Sequence, residues 1–433
     1  MQKIDALPER YALNNELHAR PFPRLKTSSH AFHLALKKTG DFTDSTAERK
    51  HLRAILDRFG TAHPAPDAAH FSGQIGRNTL KWEMHSEFVT YTIFSEETAE
   101  KPFQRDLFDA FPADWLAEAP GEVLISAIVW IESVKNEKAR DEAINIQMPD
   151  WFVAESLAVS DVVDGEATIA GDFRIDENGH TRFAVLTRPE IGQQRLGRIV
   201  QRVLEIATYQ AASMLTLPVA RDVAARVLTL DAQHNALVQD MAAQVGNDGE
   251  TLDRLLNMSA EIELLSSSTS YRFSAVGAYE AIVNHRIQVL RETRIRGRQL
   301  FGEFMMRRYD PAMRTCRSAE ERLANLSARA QRAADLLRTR VDVEIGMQNS
   351  KLLRQMDKRA ALQLRLQKTV EGLSVVAISY YAVSLVGYLL GPVEKLSGYS
   401  KSTLSAIVTI PVLLLVYLSI RRIHNKVGGH DET

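Results

Sequence analysis

Leu373-Ser-Val-Val-Ala-Ile-Ser-Tyr-Tyr-Ala-Val-Ser-Leu-Val-Gly-Tyr-Leu-Leu390 and Ser402-Thr-Leu-Ser-Ala-Ile-Val-Thr-Ile-Pro-Val-Leu-Leu-Leu-Val-Tyr-Leu-Ser-Ile420 contain no charged side chain. Each run is about 18–20 residues long, enough at 1.5 Å per residue to cross a hydrocarbon core of roughly 30 Å. Buried helices of a soluble protein normally keep a charged stripe, and these have none. The two runs therefore read as a transmembrane hairpin, with helices over 373–390 and 402–420 and an external turn over 391–401. The lipid bilayer is the first partner that the chain implies.

Arg354, Lys358, Arg359, Arg365 and Lys368 precede the hairpin, and Arg421, Arg422 and Lys426 follow it in a basic tail, 421–433. The turn offers only Lys395 and Lys401. The positive-inside bias places both long ends in the cytoplasm, so nearly everything before residue 370 is expected to be a cytoplasmic body. A start of Met1-Gln-Lys-Ile-Asp-Ala-Leu-Pro has no apolar core for a cleaved signal, which leaves insertion to the hairpin.

The body has room for two or three domains within 433 residues. Net charge is -1, which implies no bulk attraction to nucleic acid, and none is expected as a partner. Cys316 is the single cysteine, so an intramolecular disulfide and a cysteine-rich zinc site are both excluded.

Residues 1–189 read as a mainly antiparallel α/β domain. A short helix near Asn14 runs into a loop bounded by Pro21 and Pro23. Ala31–Lys37 alternates as a strand, and Thr46–Phe59 puts Leu52, Ile55, Leu56 and Phe59 at helical spacing. Thr79–Phe94 predicts two strands turning near Ser86, Phe103–Phe111 a short helix, and Glu122–Ser133 a buried strand. Glu155–Val163, Ala167–Ile175 and His180–Leu186 form a meander, with Asp164-Gly165 and Asn178-Gly179 at its tight turns. Strand signals stop near Pro189.

Residues 190–310 read as helical: Gly192–Leu217 ended by Pro218, then Asp222–Val245, Glu250–Ser266 and Tyr271–Glu303, broken at Gly246-Asn-Asp-Gly249. No proline lies between Pro311 and Pro392. Leu323, Leu326, Ala330, Ala333, Leu337, Val341, Ile345, Leu352, Met356 and Ala360 recur there at spacings near 3–4. That predicts one stalk helix over 311–372, able to reach roughly 100 Å and to coil against partners before entering the first span. The fold class is α+β.

Four constellations could carry chemistry. Gln363, Gln367, Ser374, Ala377, Tyr381, Ser384 and Tyr388 form one narrow polar or small stripe. Such a stripe lines a pore or forms a helix-packing seam, and either use implies a homo-oligomer. No ionisable residue lies inside a span, which argues against a proton relay. Gly387-x-x-x-Gly391 has the small-residue dimer spacing near a helix end.

Glu83, His85 and Glu87 would share one face of an unbroken strand and could hold a divalent cation or act as acid and base. A turn at Ser86 would separate them and leave a face of charge pairs. Glu16, His18 and Arg20 suit either an N-terminal arm pinned to the body or an anion site. Arg286, Arg291, Arg294, Arg296 and Arg298, with Arg307 and Arg308 beyond, could meet anionic lipid head groups. Interspersed Glu292 and Glu303 equally suit a solvated face or subunit contacts. No phosphate loop, metalloprotease histidine pair or nucleophile elbow occurs, so no catalytic residue is assigned, an enzyme is disfavoured, and no cofactor beyond a divalent cation is implied.

Asn14-Asn-Glu-Leu-His-Ala-Arg-Pro21, Lys81-Trp-Glu83 with His85, Glu87-Phe88 and Tyr91-Thr92, and Asp172-Phe-Arg174 resemble one bacterial family. So do Ser270-Tyr-Arg-Phe-Ser-Ala275, Ala278-Tyr-Glu-Ala-Ile-Val283 and Thr369-Val-Glu-Gly-Leu-Ser-Val-Val-Ala-Ile-Ser-Tyr-Tyr381. The family is the membrane-anchored proteins called domain of unknown function 3422. The resemblance spans essentially the whole chain and implies a bacterial inner-membrane location, with no activity or catalytic residue to carry over. In layout the chain is also similar to CorA-type magnesium channels, whose long helix lines a pentameric pore. Where those carry Gly-Met-Asn, this chain has Gly387-Tyr-Leu-Leu-Gly-Pro392, so the likeness carries no ion-binding residue. Two functions stand at this point: a CorA-like oligomeric channel or transporter without that signature, or a membrane-anchored binding or scaffold protein whose α/β domain recognises a soluble ligand or protein.

Overall fold

The computed structural model describes residues 7, 10, 14, 22–40, 44–96, 101–103, 109–243, 248–389 and 400–427. The chain divides into two compact units, residues 1–334 and 335–433.

In the first unit nine strands form one mixed sheet, ordered β2-β3-β4-β1-β5-β8-β7-β6-β9. The strands are β1 Ser29–Lys38, β2 His70–Ile75, β3 Asn78–Met84, β4 Phe88–Ser95, β5 Gly121–Ser133, β6 Ala158–Val162, β7 Ala167–Ile175, β8 Thr181–Thr187 and β9 Thr293–Arg294. Only β5 and β8 pair in parallel; the other neighbours are antiparallel. Tight turns stand where glycine was expected to permit them: Gly165 and Gly179 have φ of 80° and 87°.

The two faces of the β1–β4 region differ. Phe32, Leu34 and Leu36 of β1, Leu80 and Trp82 of β3, and Val89, Tyr91 and Ile93 of β4 share one apolar core. Helix α1 (Thr46–Arg58) adds Leu52, Ile55 and Leu56, and the short helix Ala113–Ala117 adds Trp115. The alternate residues face the other way, and the helices α2 Gln193–Met214 and α4 Asp248–Leu290 cover them. Between these lies α3, Thr216–Ala243; α5 runs Phe301–Leu389 and α6 Lys401–Val427.

Helix α2 passes so close to the N-terminal segment that a Cβ on Gly197 would lie 1.8 Å from the Pro23 carbonyl oxygen. Backbone cannot yield as a side chain can. Gly197→Ala is therefore expected to destabilise the protein by about 1–3 kcal/mol, read by urea unfolding.

Several boundaries differ from the sequence expectation. The helix break falls at Leu215, and Pro218 sits in the first turn of α3, where the missing N–H has no helical partner to lose. Helix α4 is continuous through 267–270 and stops at Leu290, short of Glu303. Strand β9 then joins the sheet edge beside β6, beyond the point where strand signals end. The strand β2 lies in a stretch left unassigned by its weak alternation. The expected helix over 103–111 falls partly outside the described residues.

The stalk helix begins ten residues before Pro311 and carries that proline within it. Its start is fixed from afar. Ser160 Oγ accepts from Phe301 N at 2.8 Å, and the Glu292 carboxylate accepts from Gly302 N at 3.1 Å. Ser160 also donates to Glu292 at 2.8 Å. Burial raises the Glu292 carboxyl above its ordinary range. Phe301, Phe304 and Met305 bury this first turn, and Leu323, Leu326, Ala330 and Ala333 bury the face beyond. Arg317 donates to Glu280 at 2.7 Å and Arg329 to Asp231 at 2.6 Å, tying α5 to α4 and α3.

In the second unit α5 carries exposed charged residues as far as Glu371, and beyond it α5 over 373–389 and α6 over 402–420 expose mainly apolar side chains. Among the described residues two stretches, within Phe301–Leu389 and over Ser402–Arg422, are long and apolar enough to cross a membrane, and neither is buried in the protein. Half-buried Val375, Ser379, Ala382 and Val386 recur along α5, and Leu404, Val408, Val412 and Val416 along α6. Gly387 of α5 faces Ser405 of α6, whose Oγ would lie 4.0 Å from an added Cβ, at ordinary contact distance.

Candidate functional site

Strand register builds the floor of a cavity on the second face of the sheet. His33 of β1 pairs with Thr92 of β4, and Thr92 with Lys81 of β3. In the next row Ala35 pairs with Thr90, and Thr90 with Glu83. Period-two alternation sends this polar set away from the Trp82 core. Such a face normally meets water. Here α2 lies over it, contributing Gln201, Leu204, Glu205, Thr208 and Tyr209, while α4 contributes Arg286. Phe22, His85, Phe88 and Phe94 complete a cavity of about 230 Å³.

His33 anchors the wall. Its Nδ1 bonds the Thr92 hydroxyl at 2.8 Å and its Nε2 the Thr208 hydroxyl at 2.9 Å. Burial, with His85 and Lys81 nearby, lowers its pKa to about 3. The unfolded chain therefore takes up the His33 proton first, below about pH 6.5. The stabilising contribution is present above that value and is lost as pH falls toward about 3. Burial lowers His51 and His180 too, so they act with the same sign. We expect His33→Gln to reduce the acid-side slope of unfolding free energy against pH by up to about 1.4 kcal/mol per pH unit, measured by urea titrations.

Lys81 is nearly buried, with Nζ 3.0 Å from Glu83 Oε2. The geometry is that of an ion pair without a formed hydrogen bond, so the ammonium donors remain unfilled among the described residues. Gln201 donates Nε2 to Glu205 at 2.7 Å, while its Oε1 accepts nothing there. Arg286 Nε donates to Glu205. The cavity thus holds two internally balanced pairs, Lys81–Glu83 and Arg286–Glu205, plus unused hydrogen-bonding capacity.

Of the expected Glu83, His85 and Glu87 set, two residues meet. Glu83 and His85 line the cavity; Glu87 does not. The chain turns between Met84 and Phe88, with His85 N donating to Phe88 O at 2.9 Å, so no single strand face carries all three. Glu87 instead accepts from both terminal guanidinium nitrogens of Arg272 and from the Tyr279 hydroxyl at 2.7 Å. No group of three His, Cys, Asp or Glu suited to a metal occurs among the described residues.

Glu16, His18 and Arg20 lie outside the described residues, as does Leu390 through Tyr399 of the turn. Ser374, Ala377, Tyr381 and Tyr388 are exposed on α5, and Ser384 is half-buried. The stripe is therefore largely separate from the half-buried positions of the hairpin. The downstream arginine cluster is mostly engaged: Arg286 with Glu205, Arg291 with Asp164, Arg294 with Glu303, and Arg298 with Asn145. Sequence reasoning missed His33, Lys81, Gln201 and Glu205; only the alternation of polar residues in β3 and β4 hinted at them.

Together the geometry defines a class: a mixed-sheet and helix body with a polar cavity, followed by a long helix and a second apolar helix. The chain belongs to the family described as Protein of unknown function (DUF3422), which matches residues 5–427. No curated protein matches it significantly. The CorA-type likeness of layout gains nothing from these comparisons.

Proposed function

We propose that the chain is a membrane-anchored binding protein, whose body takes a small polar molecule into the cavity between β1, β3, β4 and α2. The observation that carries this reading is the covered polar floor, where the Lys81 ammonium and Gln201 carbonyl lack full partners among the described residues. Leaving such groups dry and unpaired costs stability, and a ligand bearing both an acceptor and a donor would satisfy them. About 230 Å³ lies below the usual range of roughly 300–1,000 Å³ for drug-sized ligands, which favours a metabolite of amino-acid size. The test is a thermal-shift titration of the full protein in detergent with amino acids, short dicarboxylates and monosaccharides. One class is expected to raise Tm for the native chain and not for Lys81→Met. No shift with any class, or equal shifts in both proteins, overturns the reading.

The anchor is the 373–420 hairpin in a bacterial inner membrane, with both termini cytoplasmic as the basic flanks favour. Cys316 is buried and is the single cysteine, so Cys316→Ser gives a clean background. Ser397→Cys in that background is expected to react with an impermeant maleimide from the periplasmic side, and labelling only from the cytoplasm overturns the orientation.

Self-association is the second element. Ile345, Leu352 and Met356 on α5 are exposed, as are Tyr381 and Tyr388 of the stripe. A homo-oligomer would cover both sets. Conduction by such an oligomer, on the CorA-like plan, is the narrower second reading. It predicts ion flux in proteoliposomes that Tyr381→Ala and Ser384→Ala alter, and an oligomer without flux retires it.

A further inference from the structure

A second concavity in the body has a different character. It lies between α2 and α4 beside the β6–β7 turn, with a volume of about 420 Å³. Arg195, Arg198 and Arg202 line it from one face of α2, at successive three- and four-residue steps; His285 and Arg291 line it from α4 and its end. Among the described residues no carboxylate lines it.

Two of its arginines are paired with carboxylates. Glu166 pairs with Arg195, and Asp164 with Arg291. Arg198 and Arg202 have no ion pair among the described residues. The Arg202 guanidinium donates to the Val289 carbonyl oxygen at 3.1 Å, which fixes it in place. Arg198 stacks over the Phe22 ring at 5.9 Å. Burial holds the Arg202 pKa below the usual arginine range, and Arg198, Arg286 and Arg291 add to the effect while Glu205 opposes it. Like charges gathered in a hollow repel each other unless an anion joins them. Arg195, in the first turn of α2, adds to the positive end of the helix dipole instead of offsetting it. Neither feature favours the empty fold, and both favour a bound anion.

We infer that this arginine-lined cleft binds a phosphate-bearing anion, with Arg198 and Arg202 as the principal contacts. Planar guanidinium forks match tetrahedral phosphate oxygens in pairs, and the hollow has space for more than one phosphate. The shared chemistry has two sources: a soluble phosphate ester or polyphosphate, and the head group of an anionic phospholipid. The site is separate from the Lys81 cavity and stands whether or not that cavity binds a ligand.

The test uses the full protein in a zwitterionic detergent. Labelled inorganic pyrophosphate is measured by equilibrium dialysis, with short-chain phosphatidylglycerol and glycerol 3-phosphate as competitors. We expect saturable binding that weakens as salt rises. Arg198→Gln with Arg202→Gln should weaken it at least about tenfold, and Arg314→Gln on exposed α5 should leave it unchanged. Arg198→Gln alone keeps the test valid if the double variant misfolds, since among the described residues Arg198 makes no hydrogen bond or ion pair. Displacement by glycerol 3-phosphate assigns a soluble ester. Displacement by phosphatidylglycerol alone, or direct binding of that lipid in place of pyrophosphate with the same loss in the variants, assigns a head group. Absence of saturable binding of both probes, or binding unchanged in both arginine variants, overturns the inference.

Discussion

Glu87→Ala is expected to destabilise the protein by about 3–5 kcal/mol, among the largest effects of any single substitution in the body. The Glu87 side chain is almost fully buried and its Arg272 partner nearly so. Its carboxylate receives two guanidinium hydrogen bonds and the Tyr279 hydroxyl, while its backbone carbonyl accepts Lys38 N at 2.8 Å. The residue therefore joins the β3–β4 turn and the end of β1 to α4. Removing the carboxylate leaves the Arg272 charge buried without compensation, which is worse than removing both charges. The double variant Glu87→Leu/Arg272→Met should recover much of the loss. Urea unfolding of the four proteins in the cycle checks this, and a loss below about 1 kcal/mol in Glu87→Ala would show that water or another group already satisfies Arg272.

Trp82→Ala is expected to cost a similar amount, about 3–5 kcal/mol. Trp82 is fully buried against the core shared by α1, Tyr91 and Trp115, opposite in alternation to Lys81 and Glu83. The two roles are linked by register. A strand seated by the indole on one face must present Lys81 and Glu83 to the cavity on the other. Trp82→Phe should lose less stability and keep the cavity residues in place. Ligand binding should therefore follow the stability of Trp82 variants, while Lys81→Met should lose binding beyond any loss of stability, which it also incurs because the half-buried Glu83 carboxylate is left without its partner. Equal unfolding midpoints for Trp82→Ala and the native chain would contradict the register.

Many strand positions were legible because β1 alternates weakly between apolar and polar residues, because β4 and β5 are rich in apolar and β-branched residues, and because Asp164-Gly165 and Asn178-Gly179 mark turns. The Ser86 turn was legible as well, and it separates Glu87 from Glu83 and His85. The start of α5 was not, because its caps come from Ser160 and Glu292, distant or outside the helical pattern. Pro218 reads as a stop in sequence, yet three residues after a break it suits a helix start. The Lys81 cavity was hidden by a sound rule: a polar strand face ordinarily meets water, and local sequence does not say that α2 will lie over it. The arginines of α2 were visible at helical spacing, but the denser run from Arg286 to Arg308 drew the reading, and the fold pairs Arg286, Arg291 and Arg294 of that run with acids.

The blocks that carry the family resemblance have a structural logic of their own. Trp82 seats a strand, and Arg272 and Tyr279 hold Glu87. Asp172 bonds Val153 N at 3.0 Å and Arg174 N at 3.1 Å around an irregularity in β7, where Phe173 takes a φ of 54° and packs on Phe301 at 4.5 Å. These residues hold the body together. The groups that would meet a ligand sit between them.

Alkaline carbonate extraction of membranes from cells making the full chain, compared with a chain ended after Lys368, tests the anchored-body account most directly. The account predicts that the full chain stays in the membrane pellet and the shortened chain moves to the soluble fraction, folded. Release of the full chain by carbonate, or retention of the shortened one, would contradict it.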